Sequence, residues 1–220
     1  MLLLGGGRAL VLQVAHPGLA AGVAEFSNYR EDPWTRLYRT LDTTLTIVFG
    51  DEEPSRAATD RLRRVHERVT GTDDRGEPYR ALDPDLLLWV HATLIDTSLT
   101  IYTRYVAPLS TTELEDYYAE MKTLGEAYSI PREAMPADYA AFRRYWSTML
   151  ASGLRVTDTT RDVADAVLRP NLPAVAWPAV ELLRIVTVGT LPETCARSSG
   201  SPSGPSTSGP SRAPNSRCGA

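Results

Sequence analysis

Three histidines are the side chains of this sequence best suited to acid–base or metal chemistry near neutral pH. They are His16, His66 and His91, and each lies in an apolar stretch with helical periodicity. His66 follows Leu62 by four residues and precedes Val69 by three, so its imidazole projects from an apolar stripe toward the core. A buried neutral imidazole needs a partner. The pattern leaves two kinds of partner open: a metal ion, or a carbonyl or carboxylate group of the core.

His91 is also predicted to face inward, because apolar residues flank it at the positions one turn away on either side, such as Leu87 and Ile95. Two inward histidines on consecutive helices can meet, either as two ligands of one metal or as a ligand and its supporting partner. The alternative is that His66 and His91 are two separate polar groups of the core, each with its own hydrogen bond.

A cationic and hydroxyl-bearing stripe follows a predicted helix at Arg36, Arg39, Thr40 and Thr43. The spacing i, i+3, i+4, i+7 places these four residues on one helix face. Such a face suits an anionic group, for example a carboxylate, a propionate or a polarised oxygen species. The alternative is a solvated face whose arginines pair with acids such as Asp32.

Glu25 lies near the end of the first long predicted helix. A carboxylate beside the cationic stripe would suit a general base if it were buried. The alternative is an ordinary acidic residue at a helix end.

The elements that position these residues are predicted to be helices, because apolar residues recur at helical spacing and no segment alternates between hairpin turns as strands do. The sequence therefore predicts an all-α fold with a single helical domain. Gly5-Gly6-Gly7 is predicted as a break before the first helix, and His16-Pro17-Gly18 as a kink within it. Caps, prolines and glycines delimit about eight helices, at 8–26, 33–49, 51–70, 83–108, 110–128, 136–152, 157–168 and 173–190.

Composition restricts the class of partner. The formal net charge is −4, and because three arginines lie beyond Pro192, the body is near −7. An acidic body argues against nucleic acid or an anionic membrane as the main partner. No run reaches the roughly 18 apolar residues of a membrane span. Both cysteines, Cys195 and Cys218, lie near the C-terminal end, so a body without a disulfide fits the reducing cytoplasm.

The composition changes at about residue 195, where serine, proline and glycine take over. Such a segment lacks the apolar side chains needed to fold. We therefore predict a helical domain at 1–194 and a disordered tail at 195–220.

Several blocks of the sequence together resemble the MpaB/latex-clearing-protein (rubber oxygenase) catalytic-domain family, and their order is that of the family. They lie at residues 12–23, 36–40, 65–71, 79–84 and 89–91 and include His16-Pro17-Gly18 and Val65-His66-Glu67-Arg68. The resemblance spans roughly residues 5 to 193 and implies a bacterial MpaB-like oxygenase with an all-α fold.

The resemblance implies haem b as the cofactor, with iron bound by one histidine that His66 matches. His91 matches a second recurrent histidine, which we expect beside the cofactor pocket. The implied reaction is the oxidative cleavage or oxygenation of a hydrophobic, isoprenoid-like alkene by dioxygen. The alternative function is a non-catalytic or truncated helical module that binds haem or another protein.

The same resemblance assigns roles to the stripe. Arg36, Arg39 and Thr40 match the family's arginine-x-x-lysine-threonine motif, with arginine in place of lysine, which keeps the cation but changes its geometry. Together with Thr43 they are expected to hold the cofactor's polar groups and act on the bound oxygen. Glu25 is the residue nearest to the family's catalytic glutamate, although its spacing differs.

The C-terminal end departs from the family, whose members normally continue as helix beyond residue 193. One coding of residues 195–202, shifted by one base, reads as a continuation typical of the family. We therefore hypothesise a frameshift near residue 194.

Overall fold

The computed structural model describes residues 2–27, 31–170 and 174–192. The predicted boundary at residue 194 and the tail at 195–220 lie outside the described residues. The all-α fold class is confirmed. In chain order the helices are α1 (Leu2–Val14), α2 (Pro17–Phe26), α3 (Pro33–Phe49), α4 (Glu52–His66), α5 (Pro84–Tyr105), α6 (Thr111–Ala127), α7 (Tyr139–Thr148), α8 (Asp158–Leu168) and α9 (Trp177–Thr190).

The predicted kink in the first long helix is a sharp bend. Pro17 begins α2, and His16 before it has extended backbone angles, as a residue that precedes proline prefers. The axes of Leu4–Val14 and Pro17–Phe26 differ by 108°. The single predicted helix 8–26 is therefore two helices, which raises the number in the described residues to nine.

The predicted break at Gly5-Gly6-Gly7 is wrong, because α1 continues through all three glycines. A Cβ atom at Gly5 would lie 2.5 Å from Cγ2 of Thr97 on α5. At Gly7 it would collide with Oγ1 of Thr187 on α9. Two of these glycines therefore let neighbouring helices approach α1 closely, and tertiary packing overrides their poor helix propensity.

Two short strands were not predicted. β1 (Thr70–Thr72) and β2 (Pro78–Arg80) pair in antiparallel fashion, so α4 ends at His66 and not at Thr70. The Asp73 carboxylate accepts the backbone N–H groups of Arg75 and Glu77 at 2.9 and 3.1 Å and fixes the turn. Strands of three residues are too short to show the alternation that sequence reasoning requires.

The core forms around α5. Trp89 is fully buried, stacks on Trp146 of α7 at 5.2 Å between ring centroids, and donates its indole N–H to the Leu12 carbonyl of α1 at 3.2 Å. Phe142 and Tyr118 extend the aromatic cluster toward α6. Helices α1, α5, α6 and α7 thus share one core.

Most other boundaries follow their predicted caps. The capping box of Ser110 and Glu113 starts α6. Asp138 accepts from the backbone N–H of Ala141 at 2.6 Å, which starts α7 three residues after the predicted position at Pro136. α5 ends at Tyr105 and not near Pro108, and a short 3-10 turn at Ala174–Ala176 precedes α9.

Candidate functional site

The candidate site lies on the helical hairpin formed by α3 and α4. Two residues join these helices, which pack against each other around Ile47 and the buried Ala58 and therefore run in opposite directions. Arg36 precedes the turn by 14 residues and His66 follows it by 15. At 1.5 Å per residue both lie about 21 Å from the turn. The topology therefore brings Arg36 and His66 to the same level, at the open end of the α3–α4 hairpin.

His66 is the last residue of α4 and is half-buried, so the prediction of an inward imidazole holds in part. Burial lowers its pKa below the ordinary value of 6.5, which keeps the ring neutral at pH 7. Among the described residues none forms a hydrogen bond or an ion pair with the imidazole. A neutral imidazole of this kind has a lone pair free for a metal.

Arg36 is also half-buried, and burial lowers the pKa of its guanidinium. Within the part of the chain that the structure describes, the guanidinium has no hydrogen-bond or salt-bridge partner. A desolvated cation without a partner is costly, and an anionic ligand would relieve that cost. Within the described residues the site therefore combines a neutral imidazole with a positive charge that no described group compensates.

The other residues of the predicted stripe differ in their exposure to solvent. Thr43 is half-buried like Arg36, whereas Arg39 and Thr40 are exposed. The Thr40 hydroxyl donates to the Arg36 carbonyl at 2.9 Å, a bond within the helix itself. Arg36 and Thr43 are thus the half-buried members of the stripe, and Arg39 and Thr40 lie toward solvent.

His91 lies in the core, with only 2% of its surface exposed. Its Nε2 atom bonds the Met121 carbonyl of α6 at 2.7 Å, and its ring meets Tyr128 edge-on at 6.2 Å. Nδ1 is buried without a partner, and burial lowers the pKa of the ring despite the bond to Met121. No described hydrogen bond or ring contact joins His91 to His66, and the carbonyl bond is the core arrangement that the sequence left open.

Glu25 is exposed, and its Oε2 atom accepts a hydrogen bond from the Tyr79 hydroxyl at 2.9 Å. Burial of the phenol, reinforced by the bond to Glu25, raises the pKa of Tyr79 to about 12. Sequence reasoning missed Tyr79. The available signal was its position inside one of the resemblance blocks, between the helices predicted at 51–70 and 83–108.

The α3–α4 hairpin also exposes apolar side chains along its length. Leu37 and Leu45 of α3 are 39% and 47% exposed, and Val65, next to His66, is 56% exposed. A neutral imidazole, an unpaired guanidinium and exposed apolar side chains are the donor set that a flat, apolar, anionic prosthetic group requires. The described residues therefore fit haem chemically. They contain no cluster of three or more histidine, cysteine or acidic side chains arranged for a bare metal ion.

Comparison with known proteins gives the family. The model of the "ER-bound oxygenase mpaB/B'/Rubber oxygenase, catalytic domain" family matches residues 1–213. The chain belongs to this family. Membership supports a general oxygenase role for this mpaB/rubber oxygenase domain, acting on a substrate and dioxygen, and confirms the resemblance inferred from the sequence blocks.

Relatives of this mpaB/rubber oxygenase domain include uncharacterized proteins of Mycobacterium bovis and Mycobacterium tuberculosis. Each is 29% identical over 180 residues, covering 77% of this chain and 67% of the relative. No solved structure matches the chain significantly. In the described residues no single helix is long and apolar enough to cross a membrane, although the bent pair Leu4–Val14 and Pro17–Phe26 together reach that length and composition.

Proposed function

We propose that the protein is a haem b-dependent oxygenase that oxygenates or cleaves a hydrophobic, isoprenoid-like alkene, and that His66 is the residue that would hold the haem iron. One observation carries the proposal. Arg36 and His66 lie at the same end of the α3–α4 hairpin, both are half-buried, and both are without a described partner.

Haem, when bound, supplies the activation of dioxygen. His66 would hold it through a ring nitrogen that burial keeps unprotonated. Arg36 offers its guanidinium to a carboxylate of the cofactor, a charge-assisted and bidentate contact that lysine does not reproduce. Thr43 would supply a hydroxyl about two turns further along the same helix.

Arg39 and Thr40 are the stripe members that face solvent, so they are placed to contact the substrate or a polarised oxygen atom. The exposed apolar side chains of α3 and α4 exclude water from the alkene. Addition of both atoms of one dioxygen molecule across the double bond, with scission of the carbon–carbon bond, gives two carbonyl products. This balance requires no further reductant.

The first test is the absorption spectrum of the purified full chain titrated with haem b. We expect a Soret band that His66→Ala loses and that added imidazole restores. His16→Gln is the matched control, because it also removes a half-buried histidine but should keep the band. A wild-type chain that stays colourless in the presence of haem would overturn the proposal.

The second test separates an oxygenase from a haem carrier. Oxygen consumption by the haem-loaded chain should rise with an isoprenoid alkene and not with the matching saturated hydrocarbon. Carbonyl products should appear in step with the oxygen consumed.

The alternative function, a non-catalytic helical module that binds haem or another protein, has one observation in its favour. The outer face of α9 exposes Leu182, Ile185 and Val188 to 55%, 57% and 47%. The oxygen measurement tests this alternative, which is favoured if the haem-titrated chain consumes no oxygen with the alkene.

A further inference from the structure

Tyr79 on β2 is held in a slot between α2 and β1. Only 6% of its surface is exposed, and its hydroxyl donates to Glu25 of α2 at 2.9 Å. The slot exists because glycines surround the ring. A Cβ atom at Gly22 would lie 3.3 Å from Cε2 of Tyr79, and one at Gly71 would lie 2.8 Å from its hydroxyl oxygen and 2.9 Å from Oε2 of Glu25.

The slot is connected to His66 by a short chain of backbone hydrogen bonds. The Val69 N–H donates to the His66 carbonyl at 3.1 Å, and the Ala81 N–H donates to the Val69 carbonyl at 2.9 Å. In the strand register Gly71 lies opposite Tyr79. Fixing Tyr79 therefore fixes β1, and β1 begins four residues after His66.

The end of α4 has little other support. Ala58 is the one buried residue among the described residues of this helix, and it lies two turns before His66. The α3–α4 hairpin packs chiefly on itself, whereas β1 and β2 pack on α2. Among the described contacts, the β-hairpin is therefore the attachment nearest to the last turn of α4.

We propose that Tyr79 and Glu25 are positioning residues for His66. Their hydrogen bond locks the β-hairpin against α2, and the β-hairpin sets where α4 ends and where the imidazole lies. This rests on the proposed function only in the choice of His66 as the ligand. It also gives Glu25 a role that differs from the general base expected from the sequence, because a hydrogen-bond acceptor suffices and a carboxylate charge is not required.

The experiment measures hydrogen exchange at the Val69 and Ala81 amides of the full chain, without haem, in four variants. Tyr79→Phe and Glu25→Ala remove the bond, so both amides should exchange about fivefold faster, as loss of one ordinary hydrogen bond of about 1 kcal/mol implies. Glu25→Gln keeps an acceptor and should exchange as the wild type does. Gly189→Ala is the control, because an added Cβ there meets nothing within 4 Å.

Haem titration provides the second measurement. Tyr79→Phe and Glu25→Ala should weaken haem binding by about tenfold, the loss typical of groups that orient a metal ligand. Glu25→Gln should bind as the wild type does. The double variant Tyr79→Phe/Glu25→Ala should lose no more than either single variant, since both remove one bond.

The outcomes separate this inference from the proposed function. If the wild-type chain binds no haem, the proposed function is wrong. If the Tyr79→Phe and Glu25→Ala variants of that chain still exchange faster at Val69, the positioning role is supported. A chain that binds haem, but whose variants exchange and bind like the wild type, would overturn the positioning role. The positioning role would also be overturned if Glu25→Gln lost as much haem affinity, or as much protection from hydrogen exchange, as Glu25→Ala does. If Tyr79→Phe fails to fold, the comparison of Glu25→Ala with Glu25→Gln still tests the positioning role, because Glu25 is exposed.

Discussion

Arg8 and Asp96 form an ion pair inside the protein, with 2.6 Å between Nη2 and Oδ2 and side chains that are only 3% and 6% exposed. The Arg8 guanidinium also donates to the Thr97 hydroxyl at 2.7 Å and to the Thr190 carbonyl at 2.9 Å. Arg143 approaches the second oxygen of Asp96 at 2.6 Å. One arginine thus joins α1, α5 and the end of α9, and each of its three guanidinium nitrogens donates to an acceptor.

Arg8→Met should lower the free energy of unfolding by about 3–5 kcal/mol, because it leaves the buried Asp96 carboxylate with the half-exposed Arg143 as its remaining charge partner. Urea denaturation followed by circular dichroism measures this. Arg161→Met is the control, since it breaks the exposed pair with Asp158 and should not shift the midpoint measurably. Equal shifts in the two variants would show that the buried pair is not what joins these helices.

The glycines of α1 give a second prediction. Gly5→Ala should destabilise the protein by about 1–3 kcal/mol, because its methyl group would overpack against Thr97. Gly6→Ala should stabilise it by up to about 1 kcal/mol, since alanine is the better helix former and an added Cβ there meets nothing within 4 Å. Thermal melting of the two variants checks this. A stabilising Gly5→Ala would mean that α1 and α5 lie further apart.

These glycines also show where sequence reasoning succeeds and where it fails. Helix starts were predictable at several local caps, as at Asp32 and Ser110, although the cap at Asp138 was missed. The role of Gly5 and Gly7 was not, because the threonines they contact are 92 and 180 residues away in the sequence. Arg8 was missed for the same reason: a lone arginine in an apolar helix says nothing about Asp96.

The candidate site was predictable in its residue types and not in its arrangement. The spacing placed Arg36, Arg39, Thr40 and Thr43 on one face, and resemblance selected His66. Only the structure shows that α4 ends at His66 and that Arg39 is exposed while Arg36 is half-buried. Whether a side chain has a partner depends on neighbours from other elements, and no pattern in the sequence contains that information.

The histidines give a pH-dependent prediction. Burial is the main cause that lowers the pKa of His16, His66 and His91 in the folded protein. Below the unfolded value of about 6.5, the unfolded chain therefore binds protons that the folded chain resists. Stability should be constant above pH 6.5 and should fall as the pH drops from there toward the folded pKa values.

Urea midpoints between pH 5.5 and 7.5 measure this slope. His91→Gln should reduce it by about 1 kcal/mol per pH unit, because it removes one such group while its amide can still donate to the Met121 carbonyl. A His91→Gln variant with the same slope as the wild type would contradict this prediction. It would mean that His91 is protonated as easily in the folded state as in the unfolded state, in spite of its burial.

Removing the charge of Arg36 should make the haem-free chain more stable and should weaken haem binding. The Arg36 guanidinium is desolvated without a described partner, so Arg36→Met should raise the unfolding free energy of the haem-free chain by about 1 kcal/mol. The same change should weaken haem binding, because the uncompensated charge is what an anionic group of the cofactor would neutralise. Arg39→Met, on the exposed side of the stripe, should leave the stability of the haem-free chain unchanged. If Arg36→Met instead destabilises the haem-free chain, the guanidinium already has a partner within the protein and is not held in reserve for a ligand.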